Sequence, residues 1–262
     1  MPESETLRWR ITALACFLIA FVLSLGAAVV GRTPVVHMDA AVAHWLYGVR
    51  RPWLDTVMMI ASALGDGSQR TAVTILAALY LLWRRRWRWA LALALAMIGA
   101  AIATPAFKGA FHVARPTAIY SGVDAFSFPS GHASSAAALY LVLAWMAARP
   151  LPRRWRPLVW TPAVGLILVT LVSRVYLGAH WPSDVIAGAA LGAALACLAI
   201  ALAASAPPPT PAMRPFEDGP AFVAALLLIA ALLGPAAFAK AERLYGPYLR
   251  QGPILKNARP AS

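Results

Sequence analysis

The stretch Asp184-VIAGAALGAALACLAIALA-Ala204 has no charge after its first residue and is apolar on every side. A helix on the surface of a soluble domain carries one apolar stripe, whereas about 20 consecutive apolar residues match the thickness of a bilayer. Similar runs occur at Ile11–Val30, Thr71–Trp83, Trp89–Phe107, His132–Ala148, Leu158–Tyr176 and Ala221–Ala239. Thr71–Trp83 is short and is expected to be joined by a partial or interfacial helix over Leu54–Leu64. With 61% hydrophobic and only 13% charged residues, the chain reads as an all-α polytopic transmembrane bundle. Six runs form the core spans and a seventh hydrophobic helix lies near the C-terminus.

This divides the chain into a transmembrane domain over 1–204, a Pro-rich linker over 205–220, and a hydrophobic helix with a basic tail over 221–262. The linker contains Pro207-Pro208-Pro209. Two readings of the seventh run follow from its residues: a span, or a re-entrant helix broken at Gly234-Pro235. The first run, although Gly26-Ala27-Ala28 has the small residues of a cleavage site, is read as an uncleaved span.

A balance of 23 Lys and Arg against 10 Asp and Glu gives a net charge of +13. In a soluble protein that would suggest nucleic acid, but here the charge clusters between spans, at Arg84-Arg85-Arg86-Trp87-Arg88 and at Arg149, Arg153, Arg154 and Arg156. Loops rich in Lys and Arg stay cytoplasmic. Alternation from these two loops puts the segments 31–70 and 109–131, and the turn before Asp184, outside. No nucleic-acid partner is implied. The tryptophans near run ends, Trp9, Trp53, Trp83, Trp87, Trp89, Trp155, Trp160 and Trp181, fit an interfacial belt. Cys16 and Cys197 fall inside apolar runs and read as small buried hydrophobes.

Three polar strings then stand out: Lys108-GAFHVA-Arg115-Pro116, Pro129-Ser130-Gly131-His132 and Ser173-Arg174-VYLGA-His180-WPS-Asp184. All fall on the external face, although none of their residues was used to orient the chain. Pro182 suits a first helical turn, so Asp184 can reach back and orient one nitrogen of His180, leaving the other to attack or to take a proton. Pro129 to His132 opens a span, where free amides and the helix dipole favour an anion and His132 is placed as a general acid. Lys108, Arg115 and Arg174 supply fixed cations, and as external basic residues beside spans they run against the orienting rule. Gly65-Asp66-Gly67-Ser68-Gln69-Arg70 lies on the same side and reads first as a plain turn, with a border of the site as the alternative. Asp39, Asp55 and His112 read as solvated or capping.

In order and spacing the strings give K-x6-R-P, P-S-G-H and S-R-x5-H-x3-D. This pattern resembles the type 2 phosphatidic acid phosphatase family, which includes membrane lipid phosphate phosphatases and is related to vanadium haloperoxidases. The resemblance implies that His180 attacks phosphorus to form a phosphohistidine, that Asp184 orients it, and that His132 protonates the leaving oxygen. It implies that Lys108, Arg115, Ser130, Gly131 and Arg174 bind phosphate oxygens, with no metal or other cofactor. The expected partner is a lipid phosphate or diphosphate, such as phosphatidate, phosphatidylglycerol phosphate, undecaprenyl diphosphate or a lipid A phosphate. The expected setting is a bacterial inner membrane, with the site facing the periplasm. A lipid phosphotransferase and a non-enzymatic lipid or anion transporter are the competing readings.

Overall fold

The structure is a computed structural model that describes residues 2–116, 125–149, 151–203 and 219–251. Among the described residues it is built from helices: α1 (Pro2–Val30), α2 (Pro34–Gly48), α3 (Pro52–Leu64), α4 (Gly67–Trp83), α5 (Trp87–Phe111), α6 (Gly131–Ala148), α7 (Pro157–Tyr176), α8 (Pro182–Ala203) and α9 (Gly219–Gln251). A short 3-10 turn, Arg153–Trp155, precedes α7. Among the described residues, five segments are long and apolar enough to cross a membrane: Glu5–Val30, Trp87–Phe111, Gly131–Ala148, Arg153–Tyr176 and Pro182–Ala203. Phe17, Leu79, Ile102 and Leu168 are exposed on the outer surface. A soluble protein rarely shows so much contiguous apolar area, whereas lipid covers it readily.

The bundle is organised around α6 and α8, which make the most extensive contact between any two elements. A Cβ built on Gly188 would stand 2.5 Å from the Ser130 carbonyl and 2.9 Å from Ala133 Cβ. One turn later, a Cβ on Gly192 would overlap the Ser134 carbonyl and approach Ala137. Small residues four apart let two membrane helices approach to backbone contact, gaining packing and dispersion where no water is available to drive association. The carbonyls of α6 therefore rest directly on the glycine face of α8. The Ser130 amide also donates to the Asp184 carbonyl at 2.9 Å, locking the two helix starts side by side.

Around this pair, Leu81, Leu93, Leu139, Val142 and Met146 form a buried core shared by α4, α5, α6 and α8. Trp89 and Trp145 pack at a centroid distance of 5.2 Å, and the Arg149 guanidinium lies over both rings. A second core joins α1 to α8 through Val22, Val29, Phe128, Trp181 and Leu191. Gly26 of α1 leaves the space that the Phe111 ring occupies.

Several expectations need correction. The segment 31–70 holds α2 and α3, of which α2 was not expected; Pro34 and Pro52 at their first turns preset the backbone. Trp89 and Trp181 are core residues rather than part of the belt, whereas Trp9, Trp53, Trp83 and Trp87 are well exposed. Cys16 is exposed on the outer surface. Gly234-Pro235 does not break the last helix: α9 continues through Pro235 and Pro247 to Gln251, packed against α3 and α4. Tertiary packing there outweighs the lost hydrogen bonds. The proposed linker falls almost wholly on 204–218, outside the described residues.

Gly192→Val should therefore break the α6–α8 contact. Overpacking of this kind costs on the order of 3 kcal/mol, and the thermal midpoint in detergent should fall by several degrees. Gly165→Val on α7, where a Cβ meets nothing within 4 Å, should leave it nearly unchanged. Equal midpoints for the two variants would contradict the glycine-contact account.

Candidate functional site

The three polar strings occupy the ends of α5, α6, α7 and α8, and folding brings those ends together. Lys108 lies in the last turn of α5. The helix stops at His112, in the left-handed region with φ 50°, and the chain turns into an extended segment where Ala114 bridges to Phe126. The Ser127 hydroxyl donates to the carbonyls of Val113 and Ala114, both at 3.1 Å, tying the two ends of this loop together. Arg115 is thereby directed inward, and its Nη1 donates to the Ala179 carbonyl at 2.9 Å. Arg174 lies in the last turn of α7, and the turn to α8 passes through Gly178 at φ 67°, a backbone region that suits glycine.

These elements enclose a cavity of about 530 Å³. Lys108, Arg115, Gly131, His132, Arg174 and His180 line it. Ser130 and Asp184 lie one layer behind, both fully buried, and the Ser130 hydroxyl has no hydrogen-bond partner. All eight residues expected from the sequence thus converge on one place, six on the cavity wall and two supporting it. Along α4 and α5 the wall continues out to Ile75 and Ile98, which are 53% and 54% exposed on the apolar surface of the bundle. The cavity therefore joins a cationic interior to a greasy flank.

His180 is the best-oriented group. Asp184 Oδ2 accepts from the Trp181 amide at 2.8 Å and stands 3.4 Å from His180 Nδ1. That second distance is longer than a well-formed hydrogen bond, as is common for such groups before a substrate binds. With Nδ1–H facing the carboxylate, Nε2 carries the lone pair, and it lies 3.4 Å from Arg115 Nη1. Burial, and then the charges of Arg115, Arg174 and Lys108, hold the His180 imidazole well below its usual range; a backbone hydrogen bond with Ser127 opposes them. Both leading causes disfavour a further positive charge, so the ring stays neutral and nucleophilic at neutral pH.

The sequence reading missed several supporting residues. Asp39 of α2 is buried and accepts from both the amide and the hydroxyl of Ser183, fixing the first turn of α8. Arg174 donates through Nη1 to Ser62 at 2.8 Å and to the Tyr245 hydroxyl, whose ring it also faces at 5.3 Å. These contacts bring α3 and α9 into the site, and no spacing rule connects residues 112 and 71 positions apart. Asp66 caps α4 through Ser68 and pairs with Lys240 at 2.8 Å. Burial raises its carboxyl, but the bonds from Lys240 and Ser68 outweigh that and hold it below the usual range. Arg70, read as part of a plain turn, is buried and lines the cavity, as does Thr104 one turn before Lys108. The rule that singled out Lys108 and Arg174, a basic residue at the span end away from the Arg-rich loops, also applies to Arg70. Among the described residues no group of three His, Cys, Asp or Glu side chains gathers as a metal-ligand set.

Comparison with known proteins agrees with this geometry. Residues 89–206 match the PAP2 superfamily. Phosphatidylglycerophosphatase B of Bacillus subtilis is 32% identical over 180 residues, covering 67% of this chain and 87% of that protein. The chain belongs to the PAP2 superfamily. The crystal structure of the first transmembrane PAP2-type phosphatidylglycerolphosphate phosphatase from Bacillus subtilis superposes with a TM-score of 0.64 at 29% identity, covering 71% of this chain and 94% of that one. A lipid A 1-phosphatase of Rhizobium johnstonii is 26% identical over 204 residues, covering 71% of this chain and 78% of that protein. The resemblance carried by the three strings is thus borne out. The PAP2 chain described here is an integral membrane phosphatase.

Histidine-selective NMR in detergent should find the His180 ring still neutral at pH 6.5. Its folded-state protonation is depressed, so the charged form should appear only well below that pH. Half-protonation near 6.5, as in a free imidazole, would contradict the electrostatic account.

Proposed function

We propose that this PAP2 enzyme hydrolyses a lipid phosphate or diphosphate at the external, periplasmic face of the inner membrane, through a phosphohistidine on His180. The observation that carries this reading is the placement of His180, whose Nδ1 stands 3.4 Å from Asp184 and whose ring lines one cavity with Lys108, Arg115 and Arg174. In the first step Nε2 attacks phosphorus in line, and the bond to the leaving oxygen breaks. His132 gives that oxygen its proton. In the second step His132 accepts a proton from water, whose oxygen takes the phosphoryl group and frees His180.

Lys108, Arg115 and Arg174, with the first-turn amides of α6, meet the phosphate oxygens, and Ser130 supports that helix start from behind the wall. Preorganised donors of this kind stabilise the charge that develops in the transition state without having to reorient. The half-exposed apolar wall along α4 and α5 supports an amphiphilic substrate that enters sideways, keeping its chain in lipid. The names of the relatives, a phosphatidylglycerophosphatase and a lipid A phosphatase, favour the same class. The external placement rests on the Arg-rich loops 84–88 and 149–156 at the opposite ends of the spans.

His180→Ala should reduce phosphate release from a panel of lipid phosphates by about a thousandfold or more, as expected for loss of an attacking group. Acid-labile, base-stable label from a radioactive lipid phosphate should be trapped on wild type only. Comparable release by both proteins would sink the mechanism. A cysteine at Gly109, whose Cβ meets nothing within 4 Å, should react with an impermeant maleimide from outside intact cells. Reaction from the cytoplasmic side alone would reverse the orientation.

A further inference from the structure

Arg70 is a buried cation of the cavity that none of the three polar strings contains. It sits in the first turn of α4, is 7% exposed, and lines the same cavity as Gly131 and His132. Its Nη1 has no hydrogen-bond partner. The carboxylate nearest to it along the chain, Asp66, is engaged by Ser68 and Lys240. A buried guanidinium with an unmet donor is costly, and it persists where an anion completes it.

The geometry separates Arg70 from the nucleophile's cation. Arg115 Nη1 lies 3.4 Å from His180 Nε2. Arg70 comes from α4 and lines the same cavity as Gly131 and His132 of α6. From Arg70 the wall of α4 runs outward through Thr74 to Ile75 at the lipid-facing surface. A substrate whose chain leaves along that wall passes Arg70 between its scissile bond and its tail.

We propose that Arg70 forms a second anion subsite, which holds the phosphate that remains on the lipid when a diphosphate is cleaved. This rests on the reading of the cavity as a lipid phosphatase site. His180 Nε2 bonds to the terminal phosphorus, and the bond from that phosphorus to the bridging oxygen breaks. The bridging oxygen takes its proton from His132, and lipid monophosphate departs. Water then accepts the phosphoryl group from His180, yielding inorganic phosphate. With a lipid monophosphate the leaving oxygen belongs to an uncharged alcohol, and Arg70 meets no partner. With a diphosphate it belongs to a second phosphate, placed beside both His132 and Arg70. The favoured substrate class is therefore a lipid diphosphate.

The test compares farnesyl diphosphate with farnesyl monophosphate, which share a chain and differ by one phosphate. In Arg70→Gln the ratio of kcat/KM for diphosphate over monophosphate should fall by roughly 10- to 100-fold, the scale of one charge-assisted hydrogen bond. Arg70→Lys, which keeps the charge, should give an intermediate ratio. An unchanged ratio, whether both activities fall together or neither falls, would overturn the subsite. A binding measurement separates this outcome from failure of the hydrolase reading itself. His180→Ala protein should bind inorganic pyrophosphate at least tenfold more tightly than inorganic phosphate, and adding Arg70→Gln should abolish that preference. Loss of the preference would support the subsite even if wild type hydrolysed neither lipid; its persistence would overturn it.

Discussion

The close approach of α6 and α8 is the contact on which the rest of this structure depends. Each of the two helices begins with half of the reactive pair, His132 on one and His180–Asp184 ahead of or on the other. Only glycine at 188 and 192 lets the α6 carbonyls rest on the α8 backbone. Any side chain there would separate the helix starts and lengthen the Ser130–Asp184 link. The chemistry of the site is thus built on an absence of side chains several residues away from it.

Around that pair the protein solves an electrostatic problem. Lys108, Arg70, Arg115 and Arg174 are all at least nine-tenths buried and face one cavity. Concentrating like charges in a low-dielectric site is unfavourable unless each is held by neutral donors and acceptors until an anion arrives. The Ala179 carbonyl does this for Arg115, and Ser62 and Tyr245 do it for Arg174. The same field disfavours a charge on His180, so in the proposed mechanism the cations that would bind phosphate also prepare the nucleophile.

The bundle's layout was legible in the sequence because lipid imposes one dominant constraint. Length, lack of charge and the basic loops located α5, α6, α7 and α8 to within a few residues, and the end of α1, whose start at Pro2 lies well before Ile11. Errors arose where tertiary contact competes with local rules. Trp181 looked interfacial, but its indole donates to the Ala114 carbonyl inside the core. Pro235 left a break or a continuous helix open, and α9 continues through it, packed against α3 and α4. Asp39 read as solvated or capping, and the residue it caps, Ser183 of α8, lies 144 positions away.

The sequence by itself determined the membrane class and the chemical inventory of the site. Both depend on residue type and on spacing along single helices, which a chain displays directly. Only the tertiary structure decided which groups share the cavity. Ser130 and Asp184 fall behind its wall, Arg70 and Thr104 join it, and Ser62 and Tyr245 hold Arg174 from α3 and α9. Those partnerships link residues far apart in the chain, and their burial arises only when helices pack, so no local pattern encodes them.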